Sequence, residues 1–183
     1  MQPYIALGEA LRDQGHAVTV TTGRGFDDMI EAHGLAAASV SIDYREIVQS
    51  PEVRAALNSF RGKIKVFGAF KEHARQQLRD MWRIAKDVRP ELIVYHPKGD
   101  AARHIAEALQ VPAIPTSLQP LFVPTGDFPC VVMPFRNLGR TLNRQTHNFV
   151  NWITGKVQGT LQGAWRENDL GLSGAPSHAF FEG

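Results

Sequence analysis

Helices and strands alternate along this chain, and the alternation restricts the possible folds more than any other feature of the sequence. Residues Pro3 to Gln14 carry apolar side chains on one repeating face and are followed by Gly15, which predicts a helix and its end. The next stretch, HAVTVTT, alternates and is rich in β-branched residues, as is typical of a strand. Because strands joined through helices lie parallel, the sequence predicts an α/β fold with a parallel sheet.

The same order continues through most of the chain. Six later segments alternate between helix and strand character: a helix from about Phe26 to Gly34, the strand AASVSI, a long amphipathic helix over 63–86, the strand ELIVYH, the helix AARHIAEALQ and the strand VPAIPTSL. The continuous apolar run of ELIVYH favours a central position in the sheet. A proline-rich loop follows from Gln119 to Pro129.

A last long helix is predicted to bury an apolar stripe made of Leu142, Phe149, Ile153, Val157, Leu161 and Trp165. The segment that holds it, Pro134 to Arg166, has five Lys or Arg and no acidic residue, and Arg61 to Lys86 has eight against two acidic residues. Such basic surfaces contact anionic lipid or nucleic acid, or are simply solvated. Because the aromatic residues fall on the stripes predicted to be buried, nucleic acid is the weaker candidate partner.

Length and composition describe a soluble globular protein. The chain has 183 residues, of which 43% are hydrophobic and 21% charged, enough for one domain with a core. It has no apolar run near the roughly 20 residues that span a bilayer, and we expect no secretory signal. Its single cysteine, Cys130, cannot form an internal disulfide and favours a reducing compartment. The predicted location is the cytoplasm, with peripheral membrane contact left open.

The sequence YHPKGD lies between a predicted strand and a predicted helix, where open α/β sheets bind ligands. His96 has the chemistry of a general base or of a hydrogen-bond partner for a hydroxyl group, and Lys98 has the charge to meet an anion. The alternatives are structural. In these, His96 packs at the end of its strand and Asp100 caps the next helix.

The stretch TSLQPLFVPTGDFP is the second candidate site. Prolines at 115, 120, 124 and 129 stiffen the chain at the end of another predicted strand, and Leu121, Phe122 and Phe128 make the loop apolar. It either walls an apolar ligand pocket or covers the core of its own domain.

Signals for a metal, a nucleophile or a cofactor are weak. His96 and His104 stand eight residues apart with no cysteine nearby, which is not a typical ligand spacing. The chain has neither a Gly-x-Ser-x-Gly motif nor a P-loop, and TTGRGF does not match the dinucleotide-binding pattern. We therefore expect no bound metal and no resident cofactor.

The segments QPYIALGEALRDQGHAVTVTT and FDDMIEAHGL resemble the start of nucleotide-sugar glycosyltransferases with two Rossmann-like domains, in their sterol glucosyltransferase-like branch. Gln2 to Leu7, Gly15, His16 and Val18 carry this likeness, and the stretch from ELIVYH to GDFP resembles the second half of the same N-terminal domain. The resemblance implies a Rossmann-like parallel sheet with helices on both faces, the N-terminal half of a GT-B fold. This domain would occupy residues 1–170, and 171–183 would form an irregular tail or the start of a linker.

The resemblance also implies a reaction. Members of the family move a hexose from a nucleotide-diphosphate sugar to an acceptor hydroxyl with inversion, an arrangement that requires no metal. The acceptor favoured for this chain is a sterol or another lipid-like small molecule. The residues that the resemblance places along the acceptor cleft are Gln2, Pro3, His96, Pro97, Lys98, Gln119, Pro120 and Thr125.

Two parts of the family pattern have no counterpart in these residues. In the family a first strand and its loop precede the position of Gln2, with the catalytic base in that loop, and a C-terminal domain holds most of the donor site. We therefore expect an acceptor-binding domain that lacks its first strand, has no assignable catalytic base, and is inactive without a donor domain. The alternatives are a non-catalytic subunit that pairs with a separate donor-domain chain, and a fragment with no independent role.

Overall fold

The computed structural model describes residues 2–43, 60–99, 101–117, 123–134 and 136–173. Its elements, in chain order, are α1 (Gln2–Asp13), β1 (Thr19–Gly23), α2 (Asp27–Glu31), β2 (Ala36–Val40), α3 (Phe60–Val88), β3 (Ile93–Tyr95), a 3₁₀ turn (Pro97–Gly99), α4 (Ala101–Leu109), β4 (Ala113–Pro115) and α5 (Arg140–Asn168). Helix and strand types therefore follow the alternation that the sequence predicts.

The chain divides into two compact units, Met1–Arg89 and Pro90–Gly183. The first unit contains a parallel pair, β1 with β2, in which Thr19 aligns with Ala36. The second contains another parallel pair, β3 with β4, in which Ile93 aligns with Ala113. The parallel α/β character predicted from the sequence is thus present in both units.

In the first unit, α1 packs against β1 and α2 through a small apolar core. Ile5, Ile30 and Leu35 are its buried residues. A Cβ atom at Gly8 would stand only 2.8 Å from a methyl carbon of Leu35, so a side chain at this position of α1 would force Leu35 to shift. The predicted end of α1 is confirmed, because Gly15 has a φ of 92°, a conformation that glycine adopts without steric cost.

A buried carboxylate joins α3 to the end of β2. Asp80 accepts hydrogen bonds from the backbone nitrogen of Ser41 at 2.7 Å and from Nε2 of Gln76 at 3.1 Å. Burial alone would raise the pKa of Asp80, but these hydrogen bonds and the charge of Arg83 together hold the pKa below its ordinary value. Beside this contact lies a second apolar cluster, made of Val40, Ile42 and Ile84.

In the second unit, α4 covers the β3–β4 pair. Ala102, Ile105 and Ala106 on α4 are buried, as is Tyr95 at the end of β3. The predicted strand VPAIPTSL is reduced to three residues, Ala113–Pro115. Prolines at 112 and 115 have no N–H group to donate, which limits the length over which this segment can pair.

The predicted strand ELIVYH is likewise shorter, and within the described residues β3 pairs with β4 alone. Leu92, which was expected inside the strand, is exposed. The apolar run therefore forms a three-residue strand whose last residue, Tyr95, is buried.

The predicted buried stripe of the last helix is wrong for its first half. Leu142, Phe149 and Ile153 are 57%, 49% and 40% exposed, whereas Asn143 and His147 on the opposite side are fully buried. The polar side chains face inward because they hydrogen-bond the preceding loop. In the second half, Trp165 is buried as predicted, and the side chains of residues 157 and 161 lie outside the described residues.

Candidate functional site

The carboxyl ends of β3 and β4 meet at one edge of the second unit's sheet. Tyr95 aligns with Pro115 in the strand pair, and the next residue of β4's chain, Thr116, donates its backbone N–H to the carbonyl of Tyr95 at 2.7 Å. The Thr116 hydroxyl approaches the same carbonyl at 3.3 Å. His96 and Thr116 therefore begin neighbouring connections at the edge where open α/β sheets bind ligands.

The turn after β3 is tight and partly buried. The backbone nitrogen of Gly99 donates to the carbonyl of His96 at 2.7 Å, which closes the 3₁₀ turn Pro97–Gly99. The Pro97 side chain is fully buried, while His96 is half-buried. This turn brings three predicted residues together, His96, Pro97 and the backbone of Lys98; Asp100 lies outside the described residues.

The other predicted residues belong to separate parts of the chain. Gln2 and Pro3 form the exposed first turn of α1, in the first unit. The Thr125 hydroxyl accepts from the backbone nitrogen of Asp127 at 3.2 Å and lies 3.3 Å from its carboxylate, so it shapes the loop before α5. Gln119 and Pro120 fall outside the described residues.

That loop is held to α5 by a buried asparagine that the sequence analysis did not identify. Asn143 donates from Nδ2 to the carbonyl of Gly126 at 2.9 Å and to Oδ1 of Asn137 at 3.0 Å. Its own Oδ1 accepts the backbone N–H of Leu138 at 2.9 Å. One side chain thus fixes both ends of the segment 126–138.

A second group holds the middle of the same loop. His147 Nε2 donates to the carbonyl of Phe128 at 3.1 Å, and the two rings meet edge to face with centroids 5.8 Å apart. The backbone nitrogen of Cys130 donates to the Thr146 hydroxyl at 2.7 Å. Cys130 is itself buried, and the loop is held by polar residues spaced along one side of α5.

A buried polar cluster joins α4 to the end of α5. Arg166 donates two hydrogen bonds of 2.6 Å to the two carboxylate oxygens of Glu107 and one of 2.8 Å to Nδ1 of His104. Those bonds to Arg166 lower the pKa of Glu107, with burial acting in the opposite sense, and the Glu107 contact raises the pKa of Arg166.

The cluster also fixes the histidine tautomer. A guanidinium can only donate, so Nδ1 of His104 presents its lone pair to Arg166, and Nε2 carries the hydrogen that it donates to Oε1 of Gln162 at 3.1 Å. His104 is thus a structural residue whose ring lies between Arg166 and Gln162. Neither spacing nor composition could reveal this, because Arg166 stands 62 residues further along the chain.

Two cavities lie away from the predicted residues. One of about 310 Å³ lies at the start of α5 and is lined by Gly126, Arg140, Thr141, Arg144 and Gln145. The other, of about 280 Å³, lies in the first unit and is lined by Ala38, Ser39, Arg83, Ile84, Asp87 and Val88. Neither lining includes His96 or Thr125.

The described residues contain no group of three or more His, Cys, Asp or Glu placed to hold a metal ion. None of the helices in these ranges is both long and apolar enough to cross a membrane.

Comparison with known proteins identifies the class. Residues 1–124 match the glycosyltransferase family 28 N-terminal domain, and this match covers more than half of the chain. The chain belongs to this family, which confirms the resemblance seen in the opening residues.

Within this family, the chain is similar to sterol 3-beta-glucosyltransferases. The sterol 3-beta-glucosyltransferase of Vanderwaltozyma polyspora is 28% identical over 179 residues, and that of Pichia angusta is 31% identical over 176. Each alignment covers 94% of this chain and 14% of the relative, so the chain spans about a seventh of the length of these proteins.

A solved structure confirms the fold. The crystal structure of the glycosyltransferase SnogD from Streptomyces nogalater matches with a TM-score of 0.54 and 22% identity, over 96% of this chain and 39% of that one. The predicted fold class, the N-terminal half of a GT-B glycosyltransferase, is thereby confirmed.

Proposed function

We propose that this chain forms the acceptor-binding part of an inverting hexosyltransferase. In this proposal a sugar moves from a nucleotide-diphosphate sugar to the hydroxyl of a sterol or another lipid-like acceptor. The observation that carries the proposal is the alignment of 94% of the chain with sterol 3-beta-glucosyltransferases. Because the chain spans only 14% of those relatives, we also propose that it is inactive without a donor-binding domain.

The sheet edge in the second unit supports an acceptor role. His96 follows the end of β3 on a turn closed by its own carbonyl, and its imidazole can donate to or accept from an alcohol. The Thr116 backbone bond to Tyr95 holds the neighbouring chain beside it. In the proposed site His96 positions the acceptor hydroxyl, and the catalytic base is not assigned to any residue of this chain.

The proposed acceptor also suggests where in the cell the protein acts. Sterols reside in bilayers, so an enzyme that glycosylates them works at a membrane surface. We propose that the protein acts in the cytoplasm and contacts the membrane peripherally.

Binding of a fluorescent sterol to the 183-residue chain tests the acceptor role. We expect energy transfer from tryptophan to dehydroergosterol in the unmodified chain, and binding about 3- to 10-fold weaker in His96→Ala, since one hydrogen bond is lost. His16→Ala, at an exposed residue of the first unit, is the matched control and should bind as the unmodified chain does. Equal binding by the two variants, or no sterol binding by any of them, would contradict the proposal.

A glucose-transfer assay on the same 183-residue chain tests whether activity needs a donor domain. We expect no transfer of radiolabelled glucose from UDP-glucose to sterol by the chain alone. Sustained turnover would overturn the proposed inactivity while leaving the acceptor role intact.

A further inference from the structure

The cavity at the start of α5 is lined by positive and polar side chains. Its volume is about 310 Å³, and its lining residues are Gly126, Arg140, Thr141, Arg144 and Gln145. Because successive residues of a helix are about 100° apart, the four α5 residues fall within an arc of about 140°. Arg140 and Arg144 stand one turn apart and within about 40° of each other. Both guanidinium groups therefore lie on one side of α5 and face one cavity.

The positive charge of this cavity is only partly neutralised. The segment 134–166 carries five basic residues and no acidic one. Asp127 in the preceding loop lies 3.9 Å from Arg140, and the two side chains are 74% and 88% exposed, so water competes strongly with the contact. Among the residues that the structure describes, Arg144 forms no ion pair. Two guanidinium groups thus stand against one weakly bound carboxylate.

This placement of the two arginines is unfavourable for the helix alone. Like charges one turn apart repel each other, and positive charge in the first turn opposes the helix dipole. The first turn of α5 has no acidic residue, and Gly139 at its N-cap offers no side chain to the free backbone N–H groups. A bound anion offsets these costs, because it pairs with both guanidinium groups.

The lining side chains favour a phosphate-type anion. A guanidinium presents forked donors that match phosphate oxygens, and two forks one turn apart match the two phosphoryl groups of a diphosphate. The Thr141 hydroxyl and the Gln145 amide add uncharged donors to the same lining, and none of the five lining residues carries a carboxylate. The volume corresponds to a small ligand, near the lower limit of about 300 Å³ for such sites.

The loop before α5 forms one wall of the cavity. A Cβ atom at Gly126 would stand 3.1 Å from the carbonyl oxygen of Arg140 and 3.3 Å from its Cα, so the loop lies directly against the helix backbone. The carbonyl of Gly126 accepts a hydrogen bond of 2.9 Å from the buried Asn143. The chain's own contacts therefore hold this wall in place, which lowers the entropy lost when a ligand binds.

We propose that this cavity binds the diphosphate group of a soluble small molecule. Arg140 and Arg144 each donate to one phosphoryl group, and Thr141 and Gln145 donate to the remaining oxygens. The inference uses neither the sterol nor the sugar transfer, so it can fail while sterol binding at His96 stands.

Isothermal titration calorimetry with inorganic pyrophosphate at fixed ionic strength tests the site. We expect the 183-residue chain to bind pyrophosphate, and Arg140→Gln with Arg144→Gln to bind it roughly tenfold more weakly, because charge-assisted hydrogen bonds are lost. The matched control is Arg79→Gln with Arg83→Gln, which removes two exposed arginines at the same spacing from α3 and should bind as the unmodified chain does. Equal weakening in the two variants, or no binding by the unmodified chain, would overturn the proposal.

Replacing the neighbouring acid tests the direction of the effect. Asp127→Asn removes the carboxylate that lies 3.9 Å from Arg140. Since this carboxylate competes with the ligand for the guanidinium, the variant should bind pyrophosphate about two- to fivefold more tightly. Unchanged or weaker binding would contradict the role given to Arg140.

A measurement on the unmodified chain removes any dependence on how the variants fold. In the isotope-labelled chain, pyrophosphate should shift the amide resonances of Thr141 and Gln145 and leave those of α3 unchanged. Sedimentation with vesicles that contain phosphatidic acid separates a soluble ligand from a lipid headgroup. Shifts confined to other residues, or binding to these vesicles without binding of pyrophosphate, would each overturn the proposal.

Discussion

Removing the carboxylate of Glu107 tests how much the buried contact between α4 and α5 contributes to stability. Arg166 donates two hydrogen bonds of 2.6 Å to Glu107 and retains 6% of its side-chain exposure, while Glu107 retains 49%. Breaking a fully buried ion pair costs about 3–5 kcal/mol, and breaking an exposed one about 0.2–1 kcal/mol. Because water replaces part of the lost contact here, we expect Glu107→Gln to lower the free energy of unfolding by about 2 kcal/mol.

Urea unfolding followed by circular dichroism measures this loss. The control is Glu167→Gln, the same substitution at an exposed neighbour of Arg166, which should change the free energy of unfolding by less than about 0.5 kcal/mol. In thermal unfolding, Glu107→Gln should lower the midpoint by roughly 4–8 °C for a chain of this length.

The loss should depend on pH in a defined direction. The bonds to Arg166 hold the pKa of Glu107 below its ordinary value of 4.5. The contact therefore contributes fully above pH 4.5 and is lost as the pH falls through the lowered pKa. The difference between the unmodified chain and Glu107→Gln should shrink in acid. Equal losses of unfolding free energy in Glu107→Gln and Glu167→Gln would refute the reasoning. So would a difference between the unmodified chain and Glu107→Gln that persists in acid.

Two further substitutions test buried polar contacts. Asp80→Ala leaves the backbone N–H of Ser41 unpaired and should cost about 2 kcal/mol in urea unfolding, whereas Asp87→Ala on the exposed side of α3 should cost little. Asn143→Ala removes three hydrogen bonds to the loop and should speed both hydrogen exchange and proteolysis of residues 126–138. Asn148→Ala, exposed on the same helix, is its control, and equal loop protection in the two would contradict the assigned role.

Local signals predicted much of the fold. Glycines after apolar helices marked the ends of α1 and α2, and both Gly15 and Gly34 have positive φ angles. The strand, turn and helix around YHPKGD also follow from neighbouring residues, since each depends on propensities and caps within a few positions. The turn that gathers His96 and Pro97 was predictable for the same reason.

Long-range choices were not predictable. Periodicity shows that α5 has an apolar side but not which side meets the core. Here Asn143 and His147 face inward because they hydrogen-bond backbone carbonyls of the loop. The contact between His104 and Arg166 could not be predicted either, because the two residues are distant in sequence and no local pattern links them. Such contacts depend on how elements approach one another, which composition and spacing do not encode.

The short separation between paired strands has a consequence for how the protein forms. Each residue of β1 pairs with the residue 17 positions later, and each residue of β3 with the one 20 positions later. The entropy lost in closing a loop grows with its length, so these closures are among the least costly that a parallel pair allows. Each pair can therefore form on the ribosome soon after its second strand emerges, before the residues that follow have been synthesised.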